Sequence, residues 1–394
     1  MPTTITKDKK QPYNMWSYIK VLSVGFIVLG TSMGVLDVYN KHWPSIKPDT
    51  SGSKKSSKIR ALLVGVNYFD SGFELPGIIE NILTTKNHLL TANPEAEIHI
   101  LTDIPNYNLT DSPGISSIDG LAGISSLDEL VRLNRHLTLE KCTNLVDSPG
   151  IKSIASPTRR NILQKLTNMV HDTQPGETLI FHFSGHGGQF IDIFPRDEKD
   201  FLDEFILPVD IPRFITDDRL HAIASKISPG ANFLMISESC HSGTILDLPS
   251  LSSINNASYS HTYNKGGELR SISAARDDEL AWTGGYGGRF SIALWQTVDR
   301  MGWDSFFQKL FSHNFTELTL IENSINYQLS KARTELPQHS VLGVKLSVPK
   351  PNQEIDHVNT DFIETSINHG VNPDLNDAGP DHLNTSVRRN IKLK

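Results

Sequence analysis

The chain has few cysteines, no excess of positive charge and low overall hydrophobicity. Only two of its 394 residues are cysteine, Cys142 and Cys240, which excludes a disulfide scaffold and a zinc ribbon. Lysine and arginine total 37 against 44 acidic residues, a formal net charge of -7, which argues against a general nucleic-acid binder. A mean hydropathy of -0.26 leaves no room for a polytopic membrane protein, while a single apolar segment remains compatible with that average.

One such segment lies near the N-terminus. Residues 21–36 read VLSVGFIVLGTSMGVL without a charge, and with Lys20 snorkelling the apolar stretch begins near Met15. Aromatic side chains flank both ends, as at two membrane interfaces: Trp16, Tyr18, Tyr39 and Trp43. We predict an uncleaved single-pass transmembrane anchor at residues 15–36, behind a cytosolic or polar N-terminus at residues 1–20. The alternatives are a buried helix and a cleaved signal peptide, although no A-x-A-like cleavage site follows.

Four short apolar runs alternate with helical patterns after a polar linker at residues 37–59. The runs read RALLVGVNYF, EIHIL, TLIFHF and NFLMI, at residues 60–69, 97–101, 178–183 and 232–236, and their form is typical of buried parallel strands. Residues 157–172 carry apolar side chains at helical spacing behind Ser156, the expected N-cap. The alternation predicts an α/β domain, with a mainly parallel sheet and helices on both faces.

The other segments lack this alternation. Residues 104–155, which include Cys142, are interpreted as an inserted surface excursion within a domain that spans residues 60–348. The tail at residues 349–394 is rich in Asn, Asp, Pro and His with little apolar pattern, and we predict that it is disordered.

Two of the apolar runs end in polar residues that do not suit a core. TLIFHF continues into SGHGGQ, which carries His186, and NFLMI continues into SESCHSG, which carries Cys240. Binding and active sites collect at the carboxyl ends of parallel strands. There, a cysteine thiolate can act as a nucleophile when a nearby imidazole takes its proton and later returns it. Glycines beside the histidine let backbone N–H groups approach a carbonyl oxygen closely. A buried free cysteine and a core histidine are the alternative interpretation.

Eight blocks, in order along the chain, resemble the metacaspases, a family of caspase-like cysteine peptidases. They are ALLVGVNYF (61–69), ILTD (100–103), SPTRRNI (156–162), FHFSGHGGQ (181–189), DEFILPVD (203–210), ITDDRL (215–220), ESCHSGTILDLP (238–249) and ISAARDDE (272–279). The resemblance implies a caspase-like αβα sandwich with a type I-like catalytic domain. This agrees with the parallel-sheet interpretation reached from the apolar runs.

The resemblance also implies roles for individual residues. It makes Cys240 the nucleophile and His186 the general acid and base, with the N–H groups of Gly187 and Cys240 binding the oxyanion. His241 is not expected to be the base, because consecutive residues leaving a strand point in different directions. His182, in the middle of a run, is expected to be structural.

Metacaspases cleave after Arg or Lys through an acidic pocket, and this chain departs from that pattern. Glu238 stands where the family usually has Asp, and Asn81 stands at the place of the pocket Asp, while Ser184 matches and Glu80 can partly substitute. Basic specificity remains the expectation, because a desolvated charge pair is stronger than one in water. An altered preference is the alternative.

All positions that match the family's calcium ligands are acidic: Asp203, Asp217, Asp218 and Asp247. Carboxylate oxygens from separate loops are the ligands that Ca²⁺ selects, so we expect a calcium site and no organic cofactor. The alternative is that Asp217 and Asp218 only cap a helix beginning at Arg219.

Together these features predict a single-pass, membrane-anchored cysteine endopeptidase that calcium stimulates. Its partners would be protein or peptide substrates with basic residues and the membrane, without nucleic acid, and the peptidase domain is expected to be monomeric. One alternative is a catalytically weak caspase-fold scaffold or regulator tethered to a membrane. The other is a caspase-fold peptidase with altered specificity.

Overall fold

The computed structural model describes residues 58–103, 151–191, 202–254, 266–284, 286–331 and 338–345. The chain divides into two units, 1–348 and 349–394, and the described residues all lie in the first. The predicted anchor at 15–36, the predicted tail at 349–394 and Cys142 lie outside the described residues. Within those residues, no helix is long and apolar enough to cross a membrane.

Among the described residues, seven strands form the main sheet. They are β1 (Ile59–Gly65), β2 (Glu97–Thr102), β3 (Ile151–Ala155), β4 (Thr178–Ser184), β8 (Asn232–Glu238), β9 (Glu268–Ser273) and β12 (Val341–Val344). Their spatial order is β12-β9-β8-β4-β1-β2-β3. Every neighbouring pair is parallel except β9 and β12, so the prediction of a mainly parallel sheet is confirmed.

Each of the four apolar runs forms one strand of this sheet, with small differences in length. The largest difference is in β1, which ends at Gly65 and not at Phe69, because residues 66–69 turn away from the sheet with Tyr68 at φ 58. The strand β3 lies in the segment assigned to the insertion, so the sheet continues into its last five residues.

Within the part of the chain that the structure describes, six helices cover the two faces of the sheet. They are α1 (Ile78–Ala92), α2 (Arg159–Asp172), α3 (Asp217–Ala224), α4 (Arg289–Met301), α5 (Trp303–Leu310) and α6 (Phe315–Ser330). Alternate side chains of β1 point to opposite faces: Leu63 packs in the core with α1, α4, α5 and α6, and Leu62 packs in the core with α2 and α3. This arrangement is the predicted three-layer αβα sandwich.

The N-caps of two helices differ from the sequence-based expectation. α2 is capped by Thr158 and not by Ser156: the Thr158 hydroxyl accepts the N–H of Asn161. α3 begins at Asp217, with Thr216 as its cap, so Asp217 and Asp218 lie in its first turn and do not precede a helix at Arg219. In both cases a threonine nearer the helix satisfies an otherwise unpaired N–H.

Short strands stand beside the carboxyl edge of the main sheet. β5 (Gly187–Ile191), β6 (Leu202–Ile206) and β7 (Ile215–Thr216) form a three-stranded sheet, and β10 (Thr283–Gly284) pairs with β11 (Gly287–Gly288). Because β5 follows β4 after only two residues, this second sheet begins directly after His186.

The edge strand β12 has contacts on both of its sides. On one side it pairs with β9. On the other side Ser250 bridges to Gly343, and the Val344 N–H donates to the carbonyl of Pro249 at 3.2 Å. The segment after the ESCHSG block therefore covers part of this edge.

Candidate active site

The register between β4 and β8 places His186 and Cys240 at equivalent positions. Ser184 pairs with Glu238 in this parallel ladder, and His186 and Cys240 each follow two residues later. The Gly185 N–H donates to the Glu238 carbonyl at 3.2 Å, which holds the two departing segments side by side. Because both segments leave the sheet at the same edge, the structure brings the predicted nucleophile and the predicted base into one neighbourhood.

Gly187 lies directly against the backbone of Cys240. A Cβ atom at this position would lie 2.4 Å from the Cys240 carbonyl oxygen, so only glycine fits. The Leu207 N–H donates to the His186 carbonyl at 3.0 Å, which makes Gly187 and Ile206 a non-hydrogen-bonded pair of the β5–β6 ladder. The Gly187 N–H is therefore not used by that ladder, as an oxyanion donor requires.

The Cys240 thiol is buried and protonated at neutral pH. Cys240 is only 6% exposed, and its Sγ accepts the N–H of Ala281 at 3.4 Å. Burial raises the pKa of the thiol to about 11, and the charge of Glu238 adds to this effect, while the Ala281 N–H opposes it. The nucleophile therefore needs a base to remove its proton.

A backbone carbonyl sets the tautomer of His186. Its Nε2 lies 2.8 Å from the carbonyl oxygen of Phe73, and because a carbonyl only accepts, Nε2 must carry the hydrogen. Nδ1 is then the nitrogen without a hydrogen, which is the one that can take a proton. Burial lowers the pKa of His186, an effect that the Phe73 carbonyl opposes, so the imidazole is neutral at neutral pH.

The other two histidines near the site are held elsewhere. His182 is fully buried, its Nδ1 lies 2.9 Å from the Thr85 hydroxyl, and burial lowers its pKa to about 3. Nδ1 of His241 lies 2.6 Å from the Asp277 carbonyl. One ring nitrogen of each histidine is therefore bound to a group other than Cys240.

The predicted specificity residues meet beside the first turn of α4. The Asn81 amide donates to the Ser184 hydroxyl at 2.8 Å, and its oxygen accepts the Gly288 N–H at 2.7 Å. Both polar groups of Asn81 are thus used within the protein. Glu80 is half-buried and lies beside Gly287, in the β10–β11 hairpin.

Glu238 is a buried carboxylate at the N-terminus of α4. Its Oε2 accepts the Ser291 N–H at 2.6 Å, while Oε1 has no hydrogen-bond partner among the described residues. Burial raises the pKa of Glu238 to about 7, and this is opposed by hydrogen bonds from Ser291 and Phe290 and by the charge of Arg289. The negative charge of Glu238 is therefore only partly balanced by groups of the protein. This is the state expected of a carboxylate in a cation-binding pocket before the cation binds.

The predicted calcium ligands lie around α3 and β6. Asp217 is buried, and its two oxygens accept the N–H groups of Glu204 and Asp218 at 3.0 and 2.8 Å. Burial and the negative charges of Asp247 and Glu204 together raise its pKa to about 9, although the hydrogen bonds from Asp218 and Glu204 oppose this. Hard carboxylate oxygens under mutual repulsion are suitable donors for Ca²⁺.

The acids do not form a closed ligand set as they stand. Among the described residues, no three His, Cys, Asp or Glu side chains are grouped so that they could hold a metal ion. Glu204, which the sequence argument did not single out, joins this region: it accepts hydrogen bonds from Gln189 at 2.8 Å and from the Thr244 hydroxyl at 2.6 Å. The calcium assignment stays a prediction.

Sequence reasoning also missed the groups that hold His186. Phe73 contributes only a backbone carbonyl, which no side-chain pattern reveals. Tyr68 and Asp103 lie in the blocks ALLVGVNYF and ILTD, but their contacts join distant parts of the chain: the Tyr68 hydroxyl accepts the His186 N–H, and Asp103 accepts the Asn67 N–H.

The roles of Cys240 and His186 as a catalytic dyad stay a prediction, supported by the placement of the two residues.

An α/β domain with a thiol, an imidazole and a closely packed glycine at neighbouring strand ends has the parts of a cysteine hydrolase. Comparisons with known proteins agree with this class. Residues 124–249 match the model of the metacaspase, peptidase C14 domain. Metacaspase-1 of Kluyveromyces lactis is 33% identical over 200 residues, covering 50% of this chain and 36% of that protein. Metacaspase-1A of Aspergillus niger is 33% identical over 200 residues, covering 50% and 39%.

The chain is therefore similar to the metacaspases over the matched residues, and it spans less than half the length of these curated relatives. The crystal structure of caspase-1 from Spodoptera frugiperda is 10% identical, with a TM-score of 0.41, and covers 74% of this chain and 89% of that chain.

We predict that alkylation of Cys240 by iodoacetamide accelerates about tenfold per pH unit between about pH 8 and 10. The thiolate is the reacting species, and its fraction rises in this way below a pKa near 11. The rate is measured from the mass of the peptide that contains Cys240. A rate that levels off below about pH 8 would contradict this prediction, because the thiolate would then already be formed.

Proposed function

We propose that this domain is a cysteine endopeptidase that hydrolyses peptide bonds after Arg or Lys through Cys240 and His186. The observation that carries the proposal is the equal offset of the two residues from the Ser184–Glu238 pair, with Gly187 packed against Cys240. This supports a nucleophile, a base and a backbone donor that act together at one sheet edge.

In the proposed reaction, His186 Nδ1 takes the thiol proton as Sγ attacks the peptide carbonyl carbon. The carbonyl oxygen becomes an oxyanion, which the N–H groups of Gly187 and Cys240 stabilise. His186 then gives the proton to the leaving amine, and a thioester to Cys240 remains. Water, deprotonated by His186, hydrolyses this thioester and restores the thiol. Because both groups start neutral, the proton moves during attack and not before it.

The basic specificity rests on Glu238. Its Oε1 has no hydrogen-bond partner among the described residues, and its pKa is raised to about 7 mainly by burial. A substrate Lys or Arg side chain would supply the missing partner and favour the ionised carboxylate. Asn81, whose amide is hydrogen-bonded to Ser184 and Gly288, would contribute to the shape of the pocket and not to its charge.

We predict that peptides with Arg or Lys before the scissile bond are cleaved, and that peptides with Asp or Asn there are cleaved much more slowly. Cys240→Ala should abolish cleavage, whereas Cys142→Ala, the matched change at the other cysteine, should leave it unchanged. Glu238→Gln should lower kcat/KM for the basic peptides by about 10- to 100-fold, because a charge-assisted contact is lost. The measurement is kcat/KM for the four peptides.

Glu95→Gln, at an exposed position, is the control for the carboxylate change. Equal loss of cleavage in Glu238→Gln for all four peptides would contradict the role of Glu238 in specificity. Activity that persists in Cys240→Ala would contradict the catalytic proposal itself.

The acids near α3 support a proposed Ca²⁺ site formed by Asp203, Asp217, Asp218 and Asp247. Bound there, the ion would neutralise the carboxylates that now raise the pKa of Asp217. Calcium binding would thereby affect the loop that follows Cys240, since the Glu204 carboxylate accepts a hydrogen bond from Thr244, four residues after Cys240. We propose calcium stimulation on this ground.

We predict that the protein binds Ca²⁺ and that Asp247→Asn weakens binding at least tenfold. Asp247 has a φ of 48, which asparagine tolerates, so the substitution removes charge while keeping the backbone. Binding is measured by calorimetry, and the calcium dependence of cleavage is measured separately. Asp172→Asn, at an exposed acid, is the control, and an unchanged affinity in Asp247→Asn would disprove the ligand assignment.

Residues 15–36 support a proposed single-pass anchor. We predict that the full chain stays in the membrane fraction during alkaline carbonate extraction, and that Phe26→Arg shifts part of it into the extract. A charge at the centre of a span costs about 2.5–3.5 kcal/mol, whereas the matched Phe26→Leu keeps the segment apolar. Extraction of the unaltered chain would rule out the anchor.

A second candidate function is a scaffold or regulator with weak catalysis. The specific observation in its favour is the burial of Cys240, which keeps the thiol protonated. Absence of cleavage in folded protein, for every peptide and with Ca²⁺ present, would support it. Cleavage with a different residue preference would instead support a caspase-fold peptidase of altered specificity, which the replacement of the pocket Asp by Asn81 favours.

A further inference from the structure

A loop at residues 67–75 makes three contacts with His186. The Phe73 carbonyl accepts from Nε2 of the ring, and the Tyr68 hydroxyl accepts the His186 backbone N–H at 2.9 Å. The rings of Tyr68 and His186 also pack together, with centroids 4.7 Å apart and an interplanar angle of 42°. The orientation of the imidazole is thus set by one loop, which is distant from it in sequence.

Tyr68 is held in a conformation that a tyrosine rarely adopts. Its φ is 58, in the left-handed region, which costs free energy, so this conformation persists only where the surroundings enforce it. The side chain is fully buried, and its hydroxyl donates to the Leu207 carbonyl while accepting from His186. The phenol oxygen therefore joins the loop, the segment of His186 and the end of β6.

Asp103, at the end of β2, enforces this conformation. One carboxylate oxygen accepts the backbone N–H and the side-chain amide of Asn67, at 2.6 and 3.0 Å, and the other accepts the Phe69 N–H at 3.3 Å. The residues on both sides of Tyr68 are thus bound to one buried acid. The loop closes with the Leu75 N–H donating to the Asn67 carbonyl at 2.9 Å.

We infer that Tyr68 is a positioning residue for the proposed peptidase, and that Asp103 maintains it in that role. Tyr68 fixes the peptide unit of His186 through the backbone N–H, and it fixes the imidazole through ring packing. Since Gly187 follows His186 directly, the same contact also orients the proposed oxyanion donor. This inference rests on the proposed function, because it assigns the residue that aligns its base.

The test compares Tyr68→Phe with the unaltered full chain. This variant keeps the ring and removes only the oxygen, so the His186 N–H and the Leu207 carbonyl lose a partner. We expect kcat to fall about 10- to 100-fold, because small displacements of a catalytic group have effects of this size. We expect KM to change less than twofold, because Tyr68 is fully buried and so does not contact substrate. Tyr327→Phe, at a tyrosine that is 59% exposed, should leave both unchanged.

A second readout does not need peptidase activity. In ¹⁵N-histidine-labelled protein, long-range ¹H–¹⁵N spectra report which ring nitrogen carries the hydrogen, and the His186 signals are identified by their loss in His186→Gln. We expect the Nε2–H tautomer in the unaltered chain, and a mixture or a shift toward Nδ1–H in Tyr68→Phe. Asp103→Asn, which removes a charge but keeps the shape, should change the spectrum in the same direction.

The two readouts separate failure of the inference from failure of the proposed function. If the unaltered chain cleaves no peptide, the proposed function fails, and the tautomer measurement still decides the inference. If Tyr68→Phe keeps both kcat and the His186 spectrum, the inference is overturned. It is also overturned if kcat falls only in proportion to the unfolded fraction, measured by thermal unfolding, while the spectrum is unchanged. Asp103→Asn provides the comparison if Tyr68→Phe is poorly folded.

Discussion

The whole site depends on the parallel pairing of β4 with β8. This pairing sets Ser184 opposite Glu238, and His186 and Cys240 each follow that pair by two residues. A shift of one residue would turn every side chain of the shifted strand to the other face of the sheet, so His186 and Cys240 would no longer leave it together. The apolar cores on both faces hold the register, because each strand buries side chains on both sides.

Burial around the site has one common electrostatic effect, which is to favour neutral groups. The thiol of Cys240 and the imidazole of His186 are both neutral at neutral pH, and the pKa values of Glu238 and Asp217 are raised to about 7 and about 9. Charge is therefore disfavoured until something from outside compensates it. A basic substrate at Glu238 and a cation near Asp217 would each do so, which gives the two proposals the same physical basis.

Much of this arrangement could be predicted from the sequence. The apolar runs gave four strands, and the polar residues that follow two of them gave the shared edge with Cys240 and His186. Strand β3 was not predicted, because its burial is only partial, without the continuous apolar run of the central strands. The support of His186 by Phe73 was not predictable either, because any residue supplies a carbonyl. Tyr68 is recognised only once Asp103 and His186, far apart in sequence, are placed around it.

The covered edge of β12 limits how the sheet can grow. Unpaired backbone groups on an edge strand invite a strand from another molecule. Here the Pro249 carbonyl already takes the Val344 N–H, and the Pro249 segment continues directly from the stretch that carries Cys240. A second chain could extend the sheet at this point only by displacing residues 249 and 250. Growth of the sheet at this edge would thus disturb the segment that follows the nucleophile, so strand addition and an undisturbed nucleophile loop are in competition.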